Sequence, residues 1–473
     1  MPFNQNKTYM SLNDASRKHY VAIIGGSISG SEAASILSEH GFRVVVFDMN
    51  ALPYGKIEDG LPSWHIKMRD RLQDEIDRKL DHENVRFVPL VKIGETISFN
   101  DLVNNWGFTA IILANGAWMD RALPINGINK FKDQGLIYQN DFIYWFNHKH
   151  EPNYSGKHYK IKDNAIVVGG GLASLDVVKI FMIELVSEKL KSLFDIEVDV
   201  FTIEKLGVDK VLKTFGIDFE QLGIEGVNLV YRRTAKDMPL KSPKDDSKES
   251  IEKAKKVSEQ LLETYLEKYK FKFKPLRIPV DYIEEENVLN GLILQKVDIK
   301  DGKVVPLENE KEVLKSDLVI SSIGSLPEHI EGLQYEWSSL KMKDDGEYHV
   351  FGYDNVFAVG NAVTGRGNIQ ESKQHGKNIT KKIIDEHLTE DALEEWLLNL
   401  NASIRKNTSK KIHSIINEIS GKEIQPDDII TSILNKTKEL NDANGYTSYT
   451  EWIKKQKPIR LEELLINKNN THF

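Results

Sequence analysis

Two stretches decide the fold: YVAIIGGSISG at residues 20–30 and AIVVGGGLAS at residues 165–174. Each is predicted to be an apolar strand that runs into a glycine-rich turn and then into a helix, which is the opening of a dinucleotide-binding unit. The two glycine turns lie 144 residues apart. The pattern predicts an α/β fold with two Rossmann-like halves, each a parallel sheet wound with helices.

The first turn carries Gly25, Ser27 and Gly30 where the fingerprint has three glycines. The first glycine makes the tight turn, the second lets the backbone approach a pyrophosphate, and the third allows the helix to pack on the strand. Ser27 at the middle place makes this turn weak evidence by itself. Asp48 strengthens it, because it ends the next apolar strand 18 residues after Gly30, where ribose hydroxyls need an acceptor. The alternative role of Asp48 is that of an ordinary capping or loop carboxylate.

The second turn has Gly169, Gly171 and Ser174 after an apolar strand. The next strand of this half, VNLVYRR, ends on Arg232 and Arg233 rather than on an acid. Arginine there offers a charged planar fork to a ribose 2′-phosphate, which predicts a preference for NADP(H) over NAD(H). An ordinary pair of surface arginines is the alternative. The 61 residues between Gly171 and Arg232 exceed the usual interval of about 20, so a helical insertion is predicted.

Composition excludes several classes of protein. The length of 473 residues predicts two or three domains, and the net charge of −8 argues against nucleic acid or an anionic membrane as the main partner. The chain has no cysteine, which rules out disulfides, thiol nucleophiles, redox dithiols and cysteine-ligated iron–sulfur or zinc sites. Because it shows no signal-peptide pattern and no run of about 18 apolar residues, we expect a soluble, cytoplasmic protein.

The remaining pattern sets the expected domain limits. Residues 289–306 alternate around Asn290-Gly291 and Asp301-Gly302, which is the turn chemistry of hairpins. DLVISSIG at 317–324 and NVFAVG at 355–360 predict strands that lead to glycine turns, and the apolar spacing beyond about residue 388 predicts amphipathic helices. We therefore expect a first domain at 1–125 and 320–385, a second domain inserted in it at 126–319, and a helical C-terminal extension at 386–473.

Two further groups of residues indicate no chemistry of their own. His148 and His150 stand two residues apart in a polar loop without other ligands nearby in sequence, so no metal site is predicted. Ser321 and Ser322 precede a glycine but lack the G-x-S-x-G pattern of serine hydrolases.

The chain resembles the flavoproteins with two dinucleotide-binding domains in four motifs: the first turn with Asp48, the second turn followed by YRR, the ANG turn at 114–116 and NVFAVGN at 355–361. The closest resemblance is to adrenodoxin reductase and the bacterial ferredoxin–NADP reductases. YRRTAKDMP at 231–239 is also similar to the small subunit of glutamate synthase. The resemblance covers roughly residues 18–385 and implies FAD in the first domain and NADP(H) in the second.

The resemblance also implies roles for particular residues. It places His65 beside the flavin with Asp163 as its partner, and it gives this pair a catalytic role. The residues implied to bind FAD are Gly25, Ser27, Ser29, Gly30, Asp48, Ile93, Gly360, Asn361, Gly367, Asn368 and Ile369, with Lys56 and Gly116 also in the cofactor site. The residues implied to bind NADP(H) are Gly169, Gly170, Gly171, Leu172, Ala173, Arg232 and Arg233.

The function implied by the resemblance is that of an FAD-dependent NADPH oxidoreductase. Hydride passes from NADPH to FAD, and electrons leave to a small one-electron carrier, a ferredoxin or a flavodoxin, because the chain has no dithiol to receive them. An acidic carrier needs a local basic patch, for which Lys67, Arg69 and Arg71 are the candidates. Two alternatives stay open: a catalytically degenerate interaction subunit, suggested by Ser27 and Asn361, and a flavin-dependent monooxygenase.

Overall fold

The computed structural model of the protein describes residues 19–243, 245–336, 339–343, 348–364 and 390–470. Up to residue 120 its elements are β1 (Tyr20–Ile24), α1 (Ile28–Glu39), β2 (Arg43–Phe47), α2 (Lys56–Asp59), α3 (Ile66–Leu80), β3 (Val85–Val88), α4 (Phe99–Asn105), β4 (Ala110–Leu113) and β5 (Met119–Asp120).

The elements of the middle part follow residue 130. They are β6 (Leu136–Tyr138), α5 (Gln139–His148), β7 (Ile166–Gly169), α6 (Leu172–Phe194), α7 (Val200–Leu206), α8 (Val208–Thr214), β8 (Asn228–Val230), α9 (Lys248–Tyr269), β9 (Lys272–Lys274), β10 (Arg277–Glu285), β11 (Val288–Lys300), β12 (Lys303–Lys315) and β13 (Val319–Ser322). Short 3-10 turns lie at Ile128–Phe131, Phe219–Leu222 and Ala235–Asp237.

The last part of the chain is mostly helical. Its elements are β14 (Ser325–Leu326), β15 (Tyr335–Glu336), β16 (Ser339–Leu340), β17 (Val356–Ala358), α10 (Asn361–Thr364), α11 (Glu390–Ile419), α12 (Asp427–Asn444), α13 (Tyr449–Gln456) and α14 (Leu461–Asn470).

The first sheet is parallel and has the strand order β17-β4-β1-β2-β3. The central strand β1 pairs in register with β2 and β4. Val21 and Ile23 pack into the core on one side of the sheet, and Ala22 and Ile24 pack into the core on the other side. A parallel strand that is buried on both faces needs a continuous apolar sequence, which explains why YVAII is apolar throughout.

The second sheet has the order β6-β13-β7-β8-β9 and is also parallel. Its strands all lie between residues 136 and 322, whereas the first sheet takes strands from both sides of that interval. The predicted fold class, with one dinucleotide-binding domain inserted in the other, is therefore confirmed. Helices α6, α7 and α8 fill the long interval before β8, as predicted.

One predicted domain limit is wrong. β13 pairs with β6 and β7, so the strand at 319–322 belongs to the second sheet, and a limit at residue 320 would cut through it. The chain returns to the first domain only after β14, which pairs antiparallel with β5 through Ser325 opposite Asp120. β5 and β14 thus mark the two places where the chain crosses between the domains.

One of the two predicted hairpin turns is also wrong. Asp301-Gly302 forms the turn between β11 and β12, as predicted, with φ of 50° and 72°. Asn290-Gly291, however, lies within β11, and the turn before that strand is made by Glu286-Asn287, both with positive φ. A Cβ on Gly291 would lie 2.5 Å from the Leu314 carbonyl oxygen, so this glycine permits close strand approach rather than a turn.

The C-terminal region is helical, as predicted, but it packs as part of the first domain rather than as an extension. A single core joins the first sheet and α1 to buried residues of the C-terminal helices, which are Ile412, Ile415, Ile416, Ile419, Tyr449, Trp452 and Ile453. In the part of the chain that the structure describes, no helix is both long and apolar enough to cross a bilayer. The cytoplasmic location stays a prediction.

Candidate cofactor-binding site

One large cavity, of about 2940 Å³, lies at the carboxyl ends of both parallel sheets. Its wall includes the residues that follow β1, β2 and β4 in the first domain and those that follow β7, β8 and β13 in the second. Ligands of open α/β sheets bind at this edge. A site for one drug-sized ligand occupies up to about 1,000 Å³, so this cavity has room for two dinucleotides.

The first glycine turn has the tight geometry that the fingerprint predicts. Gly25 has φ of +98°, its N–H donates to the Phe47 carbonyl at 2.8 Å, and a Cβ there would lie 2.7 Å from the Ala114 carbonyl oxygen. A Cβ on Gly30 would lie only 1.7 Å from the Gly25 carbonyl oxygen. Helix α1 therefore packs directly on its own turn, and its N-terminus opens on the cavity.

Ser27, at the middle place of the fingerprint, supports a neighbouring segment. Its hydroxyl donates to the Tyr54 carbonyl at 3.0 Å, and its Cβ lies 3.2 Å from where a Cβ of Gly55 would be. Gly55 needs to be glycine because its φ is +54°. The side chain that replaces glycine in this turn thus ties the turn to residues 54–55 at the cavity wall.

Asp48 lies at the end of β2, on the cavity wall, with only 7% of its surface exposed. Its carboxylate accepts the Gly26 N–H at 2.7 Å and the Asn50 N–H at 2.9 Å. Burial raises the pKa of Asp48 to about 6, against the effect of these two hydrogen bonds. Each carboxylate oxygen keeps a further lone pair, so Asp48 can also accept ribose hydroxyls.

The late turn after β17 meets the first turn. Gly360 has φ of +68°, and a Cβ there would lie 2.2 Å from Ser29 Oγ, so the two turns are in direct contact. Asn361 begins α10 and lines the cavity, and its Oδ1 is buried without a hydrogen-bond partner among the described residues. Ile93 and Gly116 also line the cavity, whereas Gly367, Asn368 and Ile369 lie outside the described residues.

In the second glycine turn, the first two glycines are closely packed and the third faces open space. A Cβ on Gly169 would lie 2.4 Å from the Ser322 carbonyl oxygen, and one on Gly170 would lie 2.0 Å from the Tyr231 ring. A Cβ on Gly171 would meet no atom within 4 Å. Leu172 and Ala173 follow as the first residues of α6, and the three glycines and both of these residues line the cavity. The backbone N–H groups of this 23-residue helix are therefore available to an anion.

The two arginines after β8 have different surroundings. Arg232 is exposed and lines the cavity. Arg233 instead donates from Nη2 to the Gly302 carbonyl at 2.7 Å, in the turn between β11 and β12. Of the predicted pair, Arg232 is thus the one that the structure brings to the cofactor cavity.

The predicted pairing of His65 with Asp163 is wrong. Asp163 precedes β7, at the opposite end of that strand from Gly169, and its carboxylate accepts the N–H groups of Glu225 and Gly226 at 2.8 Å each. The buried His65 instead has Nε2 at 3.9 Å from Asp176 Oδ1.

Sequence reasoning missed Asp176, which lies on the second turn of α6 and lines the cavity. The signal that could have found it is its place five residues after Gly171, because a helix that starts at the cavity keeps its first two turns near it.

A second missed group surrounds Lys56 at the crossing between the domains. Lys56 Nζ donates to Ser325 Oγ at 2.8 Å, and Asn140 Nδ2 donates to the same oxygen at 3.2 Å and to the Trp118 carbonyl at 2.7 Å. Burial lowers the pKa of Lys56 to about 8, although Asp120 nearby acts in the opposite direction. These contacts join α2, β5, α5 and β14, which are distant in sequence, so no local pattern could show them.

The predicted basic patch is only partly present. Arg69 is 2% exposed, and its Nη2 lies 3.1 Å from Glu58 Oε1, so it cannot contact a partner protein. It faces inward because α3 presents the positions of Met68, Arg69 and Leu72 to the core. Lys67 and Arg71, on the opposite side of the same helix, are exposed.

The chain has relatives among proteins of known function, although no family model matches it. It is 24% identical to the mitochondrial NADPH:adrenodoxin oxidoreductase of Arabidopsis thaliana over 352 residues, which are 68% of this chain and 71% of that protein. It is 22% identical to a putative glutamate synthase (NADPH) small chain of Cereibacter sphaeroides over 385 residues, 78% of this chain and 77% of that protein. The chain thus has relatives in both of the families that its sequence motifs resemble.

A solved structure shows the same fold. FprA from Mycobacterium tuberculosis, in complex with NADPH, matches with a TM-score of 0.63 and 20% identity, and the match covers 90% of each chain. Because only a tenth of the chain lies outside the match and residues 390–470 make up more than a tenth, the match includes part of the C-terminal helices. The resemblance inferred from the sequence is confirmed.

Proposed function

We propose that this homologue of the adrenodoxin reductases and of the glutamate synthase small subunits is an FAD-dependent oxidoreductase. It takes hydride from NADPH and passes electrons to a small one-electron carrier protein, a ferredoxin or a flavodoxin. The observation that carries the proposal is that both glycine turns open on one cavity. A dinucleotide on each turn therefore extends its reactive ring toward the other.

FAD, when bound, supplies the redox chemistry, and the chain supplies binding and orientation. The turn from Gly25 to Gly30 and the N-terminus of α1 hold its pyrophosphate, and Asp48 accepts hydrogen bonds from its ribose. Asn361 supports this assignment, because its buried amide oxygen has no partner among the described residues, and such an oxygen costs free energy unless a ligand or another group donates to it. The residues present fit the group.

NADPH binds to the second turn. The N-terminus of α6 holds the pyrophosphate over Gly171, where no side chain stands in the way. Arg232 binds the ribose 2′-phosphate as a charged planar fork. His65 Nε2 lies 3.9 Å from Asp176 Oδ1, and Asp176 lines the cavity, so this pair joins the start of α3 to the start of α6 beside the site of the two cofactors.

Electrons leave to a carrier that docks at the exposed side of α3. Lys67 and Arg71 provide positive charge there on a chain whose net charge is −8. We expect the rate of carrier reduction by NADPH to fall roughly tenfold between about 0.05 and 0.5 M salt, because salt screens the attraction that steers association. The measurement is the steady-state reduction of a ferredoxin or flavodoxin at several salt concentrations.

A double variant locates the docking surface. Lys67→Glu with Arg71→Glu should lower kcat/KM for the carrier and leave the KM for NADPH unchanged. The matched control is Lys253→Glu with Lys256→Glu, which makes the same change of charge on the exposed face of α9. Equal losses in both double variants would show that only net charge matters, and reduction rates that do not respond to salt would remove the carrier assignment.

Lys56 predicts a pH dependence of FAD affinity. Lys56 lines the cavity, and residues 54–55, which precede it, contact Ser27 in the first glycine turn, so we infer that the charge of a bound cofactor acts on its ammonium group. The pKa of Lys56 is about 8 in the cofactor-free chain, and a bound anion raises it. FAD binding therefore takes up a proton above this pH, and the affinity falls as the pH rises.

We expect the FAD dissociation constant to rise about three- to tenfold from pH 7 to pH 9.5. In Lys56→Met the constant should be higher at pH 7 and change little with pH. Titration of the cofactor-free protein with FAD, followed by flavin fluorescence, measures both. The same pH slope in the variant and in the unchanged protein would show that another group is responsible.

A further inference from the structure

Helix α11 lines the cofactor cavity directly, through residues such as Asn407 and Lys410, and the chain that follows α12 contacts another part of the cavity wall from behind. This part is residues 51–59, named here the wall segment, of which Gly55, Lys56 and Ile57 line the cavity. On its cavity side the segment meets the first phosphate turn through the hydrogen bond from Ser27 to the Tyr54 carbonyl. Its other side faces α3 and the chain between residues 449 and 460.

Three C-terminal side chains hold the wall segment at three places along its length. Trp452 Nε1 donates to the Ala51 carbonyl at 2.7 Å. Tyr449 donates to Asp77 Oδ1 at 2.8 Å, and Tyr54 donates to the same carboxylate at 3.0 Å, so Asp77 links the two tyrosines.

Arg460 makes the third contact. Its Nη2 lies 3.5 Å from Glu58 Oε2 and donates to Gln73 Oε1 at 2.5 Å, and its Nη1 pairs with Asp70. Glu58 also pairs with Arg69, so two arginines converge on a carboxylate in the last turn of the wall segment. On the C-terminal side the contacts are buried, with Trp452 2% exposed and Arg460 7% exposed, whereas Ala51, Asp70 and Asp77 are half-buried.

Burial gives these contacts their effect. A buried donor that loses its partner costs more than one at the surface, so the buried Trp452, Tyr449 and Arg460 keep their hydrogen bonds and ion pairs to the Ala51 carbonyl, Asp77 and Glu58. Tyr54 is fully buried. Its carbonyl accepts a hydrogen bond from Ser27 in the first glycine turn, and its hydroxyl donates a hydrogen bond to Asp77. A displacement at Tyr449 is therefore transmitted through Tyr54 to Ser27.

We propose that Tyr449, Trp452 and Arg460 are positioning residues for FAD: they hold the wall segment in the conformation that the cofactor binds. The proposal rests on the proposed function, because it takes FAD as the ligand of the first turn. It gives the C-terminal helices a role in cofactor affinity beyond covering the first sheet. NADPH binding does not depend on these contacts, since the second turn and Arg232 belong to the other sheet.

The test compares two tryptophans in the same domain. Trp452→Phe keeps an aromatic ring but removes the hydrogen bond to the Ala51 carbonyl and some buried volume. Trp106→Phe is the matched control, because Trp106 is also buried and its Nε1 also makes one hydrogen bond, to Asp101 at 3.0 Å, on the opposite side of the first sheet and away from the cavity. Tyr449→Phe removes a second wall contact and is measured alone and together with Trp452→Phe.

Three measurements are made on each variant: the FAD dissociation constant of the cofactor-free protein by flavin fluorescence, the urea midpoint of unfolding, and the affinity for 2′,5′-ADP as a probe of the second turn. We expect Trp452→Phe with Tyr449→Phe to raise the FAD dissociation constant about tenfold. Trp106→Phe should lower the urea midpoint as much as Trp452→Phe does but change FAD affinity less than twofold. The affinity for 2′,5′-ADP should be the same throughout.

The proposal is overturned if FAD affinity falls no more in the Trp452 and Tyr449 variants than in Trp106→Phe, because the C-terminal contacts would then act on stability alone. If the double variant does not fold, Tyr449→Phe alone is judged by the same criterion. If the unchanged protein does not bind FAD, the proposed function fails, whatever the variants show.

Discussion

Gly30→Ala is expected to abolish FAD binding, with a loss of affinity of at least about a hundredfold. The reason is steric, because the new Cβ would lie 1.7 Å from the Gly25 carbonyl oxygen. Gly25 cannot move away, since its N–H is bound to Phe47 and its α-carbon faces Ala114. Helix α1 must shift instead, which removes its N-terminus from the pyrophosphate and costs about 1–3 kcal/mol of stability as an overpacked core does.

Gly171→Ala is the control for this change. It makes the same substitution in the second turn, but its Cβ meets no atom within 4 Å and its φ of −93° is ordinary for alanine. We expect this variant to fold normally and to bind FAD with unchanged affinity, while it binds NADPH more weakly because the methyl group faces the cavity. The measurement is the FAD content and the FAD dissociation constant of both variants. Normal FAD binding by a folded Gly30→Ala variant would show that the first turn is not the pyrophosphate site.

Arg232→Ala is expected to raise the KM for NADPH by about 10- to 150-fold and to leave the KM for NADH nearly unchanged. A hydrogen bond between charged groups contributes about 1.5–3 kcal/mol, and about 1.4 kcal/mol corresponds to a factor of ten. Arg232 is exposed at the cavity and free to meet a 2′-phosphate, which NADH does not carry.

Arg233→Ala is the matched control, because it distinguishes binding of the 2′-phosphate from support of the neighbouring turn. Its guanidinium binds the Gly302 carbonyl, so its loss should loosen the turn between β11 and β12 and affect both nucleotides by the same small factor. Steady-state kinetics with NADPH and NADH on the two variants measures the difference. An equal rise of both KM values in Arg232→Ala would assign this arginine a structural role and remove the basis for the NADPH preference.

The parts of the fold that local sequence determines were predictable. The apolar strand before Gly25 and the one before Gly169 are buried on both faces. Close contacts leave no room for a Cβ at Gly25 and Gly30 in the first turn or at Gly169 and Gly170 in the second, so sequence and structure agree there. The helical insertion before β8 was predictable because 61 residues separate Gly171 from Arg232, where the usual interval is about 20. Asp48 followed from the regular length of a strand–helix–strand unit.

The parts that depend on contacts between distant segments were not predictable. The resemblance implies Asp163 as the partner of His65, but Asp163 lies at the opposite end of β7 from the second turn, and His65 instead meets Asp176 from a helix in the other domain. The sequence of α3 alone predicts Arg69 as a surface charge. It does not show that Arg69 pairs with Glu58, which lies in the preceding helix and accompanies it in the interior.

The C-terminal helices were expected to form an extension for a similar reason. Their apolar faces have the spacing of amphipathic helices, but the spacing does not show which surface they cover. In the structure that surface is α1 and the first sheet, reached across several hundred residues of sequence.

Anaerobic addition of NADPH to the FAD-reconstituted protein tests whether one cavity brings FAD and NADPH together. We expect one FAD per chain, released on denaturation, whose oxidised visible spectrum is bleached by NADPH much faster than by the same concentration of NADH. A protein that takes up no FAD during reconstitution, or a bound flavin that keeps its oxidised spectrum in excess NADPH, would contradict it.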